Sequence, residues 1–331
     1  MHGYRRFCNK IYQATKYVLG KLSPSFTPIA LDSVHKRTGH ESLSDRWILH
    51  KLSIAARDMH AALSAREFST ATSITYQYWY SHLCDTYIEN SKAIIASGTE
   101  EEQKSAKDTL YTALEGGLTM IHPFMPFLTE ELWQRLPRRP GDTTPSIVKA
   151  AYPIYIPQND DPASEEAYEL LLAVSKAIRS LTAEYAIKDS ATLFIQLFSP
   201  QSHHTCSTQL QSIRSLSGKA TASPSASISI LAATDPKPTG CVVAAVNAQA
   251  TVFLHVKGKI DIDVEIEKAK AKLHRASESV RRQRGVVHDE AWQKKAGEGV
   301  QEMERRRLRD MEAEVRELEG SLGEFERLKL E

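Results

Sequence analysis

Six basic side chains, Lys257, Lys259, Lys270, Arg281, Arg282 and Arg284, are the residues of this chain best suited to chemistry with a polyanion. Residues 257–284 hold nine Lys/Arg against five Asp/Glu, whereas residues 300–331 hold seven against ten. Cations concentrated in one stretch fit phosphate contact, because Lys and Arg position a nucleic acid and make its binding salt-dependent without reading its sequence. The same residues have a simpler use, pairing across a helical hairpin, and the sequence leaves both uses open.

Nothing comparable points to covalent, metal or nucleotide chemistry. Cys8, Cys84, Cys206 and Cys241 are scattered with no C-x-x-C pair, so they read as buried free thiols. His203-His204 sits in a Ser/Thr/Gln stretch and reads as an exposed loop, with no metal ligand expected. No G-x-G-x-x-G or G-x-x-x-x-G-K-[S/T] pattern occurs among the 15 glycines. A formal net charge of +1 excludes a globally basic protein, so any nucleic-acid surface is a local patch. No apolar run reaches the roughly 18–20 residues of a membrane span, and no secretory h-region is visible. Cytoplasm is the expected location.

The elements that must position those cations come from periodicity. Ile262, Ile266, Ala269, Leu273, Ala276 and Val280 step by four and three, and so do Leu308, Met311, Val315, Leu318, Leu322 and Phe325. Two such seams with glycines between them predict an antiparallel hairpin or coiled coil over 257–331. Gly285, Gly297 and Gly299 are expected to interrupt it. An arm from 261 to 284 would reach about 36 Å.

Upstream, residues 5–22 read as a helix burying Phe7, Ile11, Ala14 and Val18 and ending at Gly20. A second helix is expected to start with Ser44 as its cap and Leu43/Ile48 as a staple, and to run to Ala65. Its core face is Ile48, Leu52, Ala55, Met59 and Ala62, with Trp47 beside it. A third spans Ser69–Ser97, and its Tyr76, Tyr78, Trp79, Tyr80 and Tyr87 cannot all share one face at 3.6 residues per turn. Thr99 and Glu102 form a capping-box pattern for a fourth. Together these predict a helical bundle over 1–155. Residues 152–163, with three prolines, read as a linker before a helix at 164–184. Alternation at 191–198, 227–231, 241–246 and 251–256, with a short helix at 209–216, predicts a small α+β unit within 156–256. The fold class is mostly α: a bundle, this α+β linker unit and the C-terminal hairpin.

One segment goes beyond periodicity. His122-Pro-Phe-Met-Pro-Phe-Leu-Thr-Glu-Glu-Leu-Trp133 is a helix end, a double-proline break and a restart at which Thr129 can cap. With Arg135-Leu-Pro-Arg138, it resembles the class I anticodon-binding domain of valyl-tRNA synthetases. Arg5-Arg-Phe-Cys-Asn-Lys-Ile-Tyr-Gln-Ala-Thr-Lys-Tyr-Val-Leu-Gly20 is similar to the family's first helix after the catalytic core. Asp45-Arg-Trp-Ile-Leu49, with the aromatic run to Asp85-Thr-Tyr-Ile-Glu89, is similar to its next two helices. The C-terminal seams favour the valyl member over its isoleucyl and leucyl relatives, and the chain resembles the C-terminal portion of a cytosolic, eukaryotic-like one.

The resemblance implies a tRNA-binding function. Asn9, Lys10, Lys16, Arg46 and Arg57 lie on helices the family uses for the anticodon face, and the six cations of the first arm would hold the tRNA backbone. Trp47 lies there too, but reads as core. Partners would be valine tRNA and the catalytic domain or a synthetase complex, with no DNA and no membrane. The family joins valine to tRNA with ATP, using H-I-G-H-like and K-M-S-K-S-like segments that do not occur here. The chain is therefore expected to carry no catalytic residue and no cofactor, ATP belonging to a parent enzyme, and not to aminoacylate alone. It corresponds to a C-terminal portion, either of a longer gene or as a free-standing module. The alternatives are a stand-alone tRNA-binding module and a coiled-coil interaction protein.

Overall fold

The computed structural model describes residues 2–30, 33, 38–258, 262–289 and 297–330. It divides into two compact units, Met1–Lys176 with His204–Gly218, and Ala177–His203 with Lys219–Glu331.

The first unit is the helical bundle. Helix α1 (His2–Lys21) buries Phe7, Ile11, Ala14 and Val18 as the spacing predicts, and runs through Gly20 to Lys21. Helix α2 (Leu43–Ser64) starts two residues earlier than expected, with Ser42 as its cap. The reason is chemical. Three residues after Ser42 stands Asp45, whose carboxylate accepts from the Ser42 N–H at 2.9 Å while the Ser42 hydroxyl accepts from Asp45 N at 3.1 Å. Three residues after Ser44 stands Trp47, which has no carboxylate to reciprocate. Leu43 and Ile48 are buried, but they no longer occupy staple positions. Ile48, Leu52, Ala55, Met59 and Ala62 form the core face as expected, with Trp47 fully buried.

The expected third helix is three segments in one run. Helix α3 (Phe68–Gln77) passes into a π-helical stretch (Tyr78–Tyr87) and then α4 (Ile88–Ser97). Widening the turn lets Tyr78, Trp79, Leu83, Cys84 and Tyr87 all face inward, which 3.6 residues per turn would not allow. Tyr76 and Tyr80 remain half exposed and stack on each other at 5.3 Å. Helix α5 (Glu100–Ile121) opens with the Thr99/Glu102 capping box. The Tyr78 hydroxyl donates to the Ala113 carbonyl and Trp79 Nε1 to the Gly117 carbonyl, at 2.9 and 3.0 Å. Gly117 makes that approach feasible, since a Cβ there would sit 3.0 Å from the Tyr78 ring and 3.1 Å from the Trp79 ring.

Helix α6 (Pro126–Trp133) begins at Pro126, where a missing N–H costs nothing, so Thr129 lies inside the helix and not at its cap. Its hydroxyl bonds back to the Met125 carbonyl and lies 2.6 Å from His122 Nδ1, tying the two sides of the proline break. Residues 152–161 are not a free linker. Ser53 exchanges two hydrogen bonds with the Ile156 backbone, and the Tyr152 hydroxyl donates to the Met120 carbonyl. Helix α7 (Pro162–Glu184) follows, its first part in this unit.

In the second unit, β1 (Thr192–Leu197) is central, parallel to β2 (Ser227–Ala232) and antiparallel to β4 (Ala250–His255). Strand β3 (Cys241–Asn247) pairs on the outside of β4, giving the order β2-β1-β4-β3. The connection from β1 to β2 contains α8 (Pro200–Thr208), α9 (Leu210–Ser217) and α10 (Lys219–Ala222), its residues His204–Gly218 belonging to the first unit, so His203 and His204 are helical, contrary to the loop expected of a Ser/Thr-rich stretch. Two antiparallel helices complete the unit, α11 (Ile262–Val287) and α12 (Glu298–Leu330). Gly285 and Gly299 lie within them and do not interrupt, since a surface glycine costs only about 1 kcal/mol in a long helix. Val280, Val287 and Leu308 pack with Met311 and Val315, so both seams face each other.

Asp45 is fully buried and accepts from the Tyr87 hydroxyl at 2.5 Å. Burial pushes its carboxyl up to about 6, against the lowering effect of those hydrogen bonds. The fold therefore favours the protonated form. That stabilisation is complete below the ordinary value near 3.8 and is lost as pH rises through about 6. Thermal melts of wild type and Asp45→Asn from pH 4 to 7 should show the wild type losing on the order of 2–3 kcal/mol relative to the variant.

Candidate nucleic-acid interface

Helix α1 carries Arg5, Arg6, Lys10, Lys16 and Lys21 and no acidic residue. Its apolar stripe faces the bundle, so its polar side must face out. Arg5, Asn9 and Lys16 are all exposed, and at 3.6 residues per turn they fall within an arc of about 40°. Arg5, Arg6 and Lys16 meet no carboxylate among the described residues, so their charge is uncompensated within the unit. Lys10 differs. Its ammonium is 2.6 Å from Asp85 and lies over the Tyr80 ring at 3.2 Å, which commits it to the bundle. Further along, Lys21 and Lys92 both stand 5.6 Å from the Tyr17 ring centroid.

The chain that follows helix α6 adds to this basic character. The Arg138 guanidinium stacks on the Trp133 ring at 3.6 Å. Arg135 is exposed and pairs with Glu131. Arg139 is almost fully buried; it binds Glu115 and the Ile29 carbonyl and lies over the Tyr111 ring. It anchors the chain after α6 and leaves the outward role to its neighbours.

Arg46 and Arg57 are held elsewhere, on α2. Arg46 lies 3.7 Å from Asp161, and Arg57 pairs with Asp58 and faces the Tyr155 ring. The structure thus groups Asn9 and Lys16 on one face, assigns Lys10 to an internal pair, and gives Arg46 and Arg57 separate partners. Arg5 and Arg6 are not among the residues that sequence reasoning marks for the anticodon face. The signal is nevertheless readable, since the first acidic residue of the chain is Asp32.

On the second unit, Lys270, Arg281 and Arg282 are exposed and engage only their own helix, Lys270 with Glu267 and Arg281 with Glu278. Arg284 reaches across to Glu312 at 2.7 Å, and Lys329 likewise reaches Asp263. Among the described residues, those two pairs are the cross-arm use of charge. Lys257 is exposed at the end of the sheet, and Lys259 lies outside the described residues.

Residues 45–197, from α2 to the end of β1, match the family described as the anticodon-binding domain of tRNA ligase. That stretch is similar to an anticodon-binding domain. Relatives similar to it across almost its whole length are valine–tRNA ligases. The mitochondrial valine–tRNA ligase of Saccharomyces cerevisiae is 41% identical over 330 residues, 100% of this chain and 29% of the relative. That of Homo sapiens is 34% identical over 329 residues, 98% and 25%. Over a shorter stretch, the valine–tRNA ligase of Schizosaccharomyces pombe is 46% identical across 205 residues, 62% of this chain and 20% of the relative. The chain thus spans less than a third of the length of these relatives. Helix α1 precedes the matched anticodon-binding domain and falls within the full-length similarity to the yeast protein. Among the described residues no helix is long and apolar enough to cross a membrane.

The free cations of α1 give this domain a measurable signature. Replacing Arg5, Arg6 and Lys16 together by Gln should weaken binding of a tRNA. It should also lower the slope of log K against log salt by about 0.7 for each phosphate of a single-stranded loop that is no longer neutralised. Filter-binding at four salt concentrations measures both. An unchanged slope would remove α1 from the interface.

Proposed function

We propose that this chain is the tRNA-binding part of a valine–tRNA ligase, holding valine tRNA through the outward face of α1 and the exposed cations of α11. The supporting observation is Arg5, Arg6 and Lys16 on an acid-free helix, displayed by the bundle that contains the anticodon-binding match. Free cations on one rigid face suit phosphate contact, whereas sequence reading needs unstacked bases held by aromatic or planar groups. Lys270, Arg281 and Arg282 have the same exposure and serve the tRNA backbone in this reading.

The proposal assigns no chemical step to these 331 residues. Activation of valine with ATP and transfer to the tRNA terminus belong to the parent enzyme, and the bundle's part is to select and orient the tRNA. Cytoplasmic residence, the compartment implied by the resemblance, is part of the proposal, although one relative bears a mitochondrial name.

Titration of the purified chain against valine tRNA and a non-cognate tRNA at 50 and 200 mM salt tests it. Tighter binding of valine tRNA, with the preference kept at the higher salt, is the expected result. Equal affinity for both would reduce the function to phosphate contact without selection. No binding at either salt would overturn the proposal.

A further inference from the structure

Among the described side chains, Tyr12 is the aromatic residue on the exposed side of α1. It is 42% exposed, on a helix whose other face is tightly packed. Helical spacing places it three residues after Asn9, four before Lys16 and seven after Arg5, so all four share one side of the helix. On the flank toward α6 stands Arg135, exposed and near enough for its charge to act on Tyr12. Glu131 of α6 is paired with Arg135 at the surface. An exposed pair of that kind contributes at most about 1 kcal/mol and is readily exchanged for a phosphate.

The other half-exposed rings of this region differ. Tyr80 is covered by Lys10 and Tyr76, and Tyr76 also meets Phe7 at 4.9 Å. Among the described residues Tyr12 has no ring or cation packed on it, so its face is free to receive a planar group.

Resting on the tRNA-binding reading, we propose that Tyr12 is a stacking platform for one unpaired RNA base. In this arrangement Arg5, Lys16 and Arg135 hold the phosphates on either side of that nucleotide, and Asn9 offers both donor and acceptor to the base edge. The recognition is of single-stranded RNA, because a base inside a duplex has no free face, and base–aromatic stacking tolerates any base. Base selection then falls to Asn9 and its neighbours. The occupant is RNA and not an apolar protein surface, because a ring bordered by cations complements alternating phosphate and base.

The test uses the full chain and a 17-nucleotide hairpin copying the anticodon arm of valine tRNA. Wild type, Tyr12→Leu, Tyr12→Phe and Tyr12→Trp are titrated by fluorescence anisotropy, alongside the same hairpin with abasic loop positions. Leu keeps apolar bulk without a planar face, so the fold should survive, and melts at the wild-type temperature check this. Y12L is expected to weaken binding about tenfold or more, while Y12F and Y12W stay close to wild type. The salt slope should be unchanged, and abasic substitution at one loop position should abolish the difference between wild type and Y12L. Equal affinity of Y12L and wild type overturns the stacking role and leaves Tyr12 to a protein neighbour. A changed salt slope in Y12L also overturns it, since Tyr12 would then act by placing the cations. Failure of wild type to bind any RNA overturns both this inference and the tRNA-binding reading. RNA binding that ignores Tyr12 overturns this inference alone.

Discussion

The bundle depends on α2 keeping one register while burying polar groups along its length. Asp45, His50 and Ser53 are all almost fully buried, and each is satisfied by a partner distant in sequence. Asp45 receives the Tyr87 hydroxyl of the π stretch. His50 Nδ1 accepts from Asp161 N, and its other ring nitrogen faces Glu165. Ser53 is locked to the Ile156 backbone. A slip of one residue would strand these groups, and each stranded group costs roughly 1–3 kcal/mol. Apolar burial alone would tolerate several packings, so the polar contacts select one. Lys51, itself largely covered, extends the arrangement toward the surface, with Glu165 and Glu169 both in reach.

That selection is how packing becomes function. Once α2, the π stretch and α5 are fixed, α1 has one groove to fill with Phe7, Ile11, Ala14 and Val18. Its remaining side is then presented outward, cations included. The same pattern holds at α6, where Arg139 is buried to anchor the chain and Arg138 is spread over Trp133. The second unit uses its charges in two ways. Some link α11 to α12, and others are left facing solvent.

Most of the fold is legible in the sequence because its signals are periodic and local. The α1 and α2 core faces, the Thr99 capping box, the four strands and both C-terminal seams follow from spacing. The remainder depends on tertiary context. The π stretch arises because five aromatic residues compete for the interior near Gly117, and spacing shows the competition but not its resolution. The move from Ser44 to Ser42 hinges on whether the residue three further on can reciprocate. Prolines in 152–161 suggest extended chain and hence a linker, yet extended chain can be strapped down by a serine from a distant helix. Of the candidate site residues, the exposure of Asn9 and Lys16 is readable from the helix pattern. The internal pairing of Lys10 with Asp85, 75 residues away, is not. The absence of acid from α1 is the sequence signal that points to Arg5 and Arg6.

The central claim is that the outward face of α1 meets tRNA. The direct measurement is photo-crosslinking of valine tRNA carrying 4-thiouridine at successive loop positions to the full chain, with the crosslinked peptides sequenced. The account predicts crosslinks in the peptides containing Asn9, Tyr12 and Lys16, together with peptides of α11. Crosslinks confined to the four-stranded sheet, with α1 untouched, would contradict it.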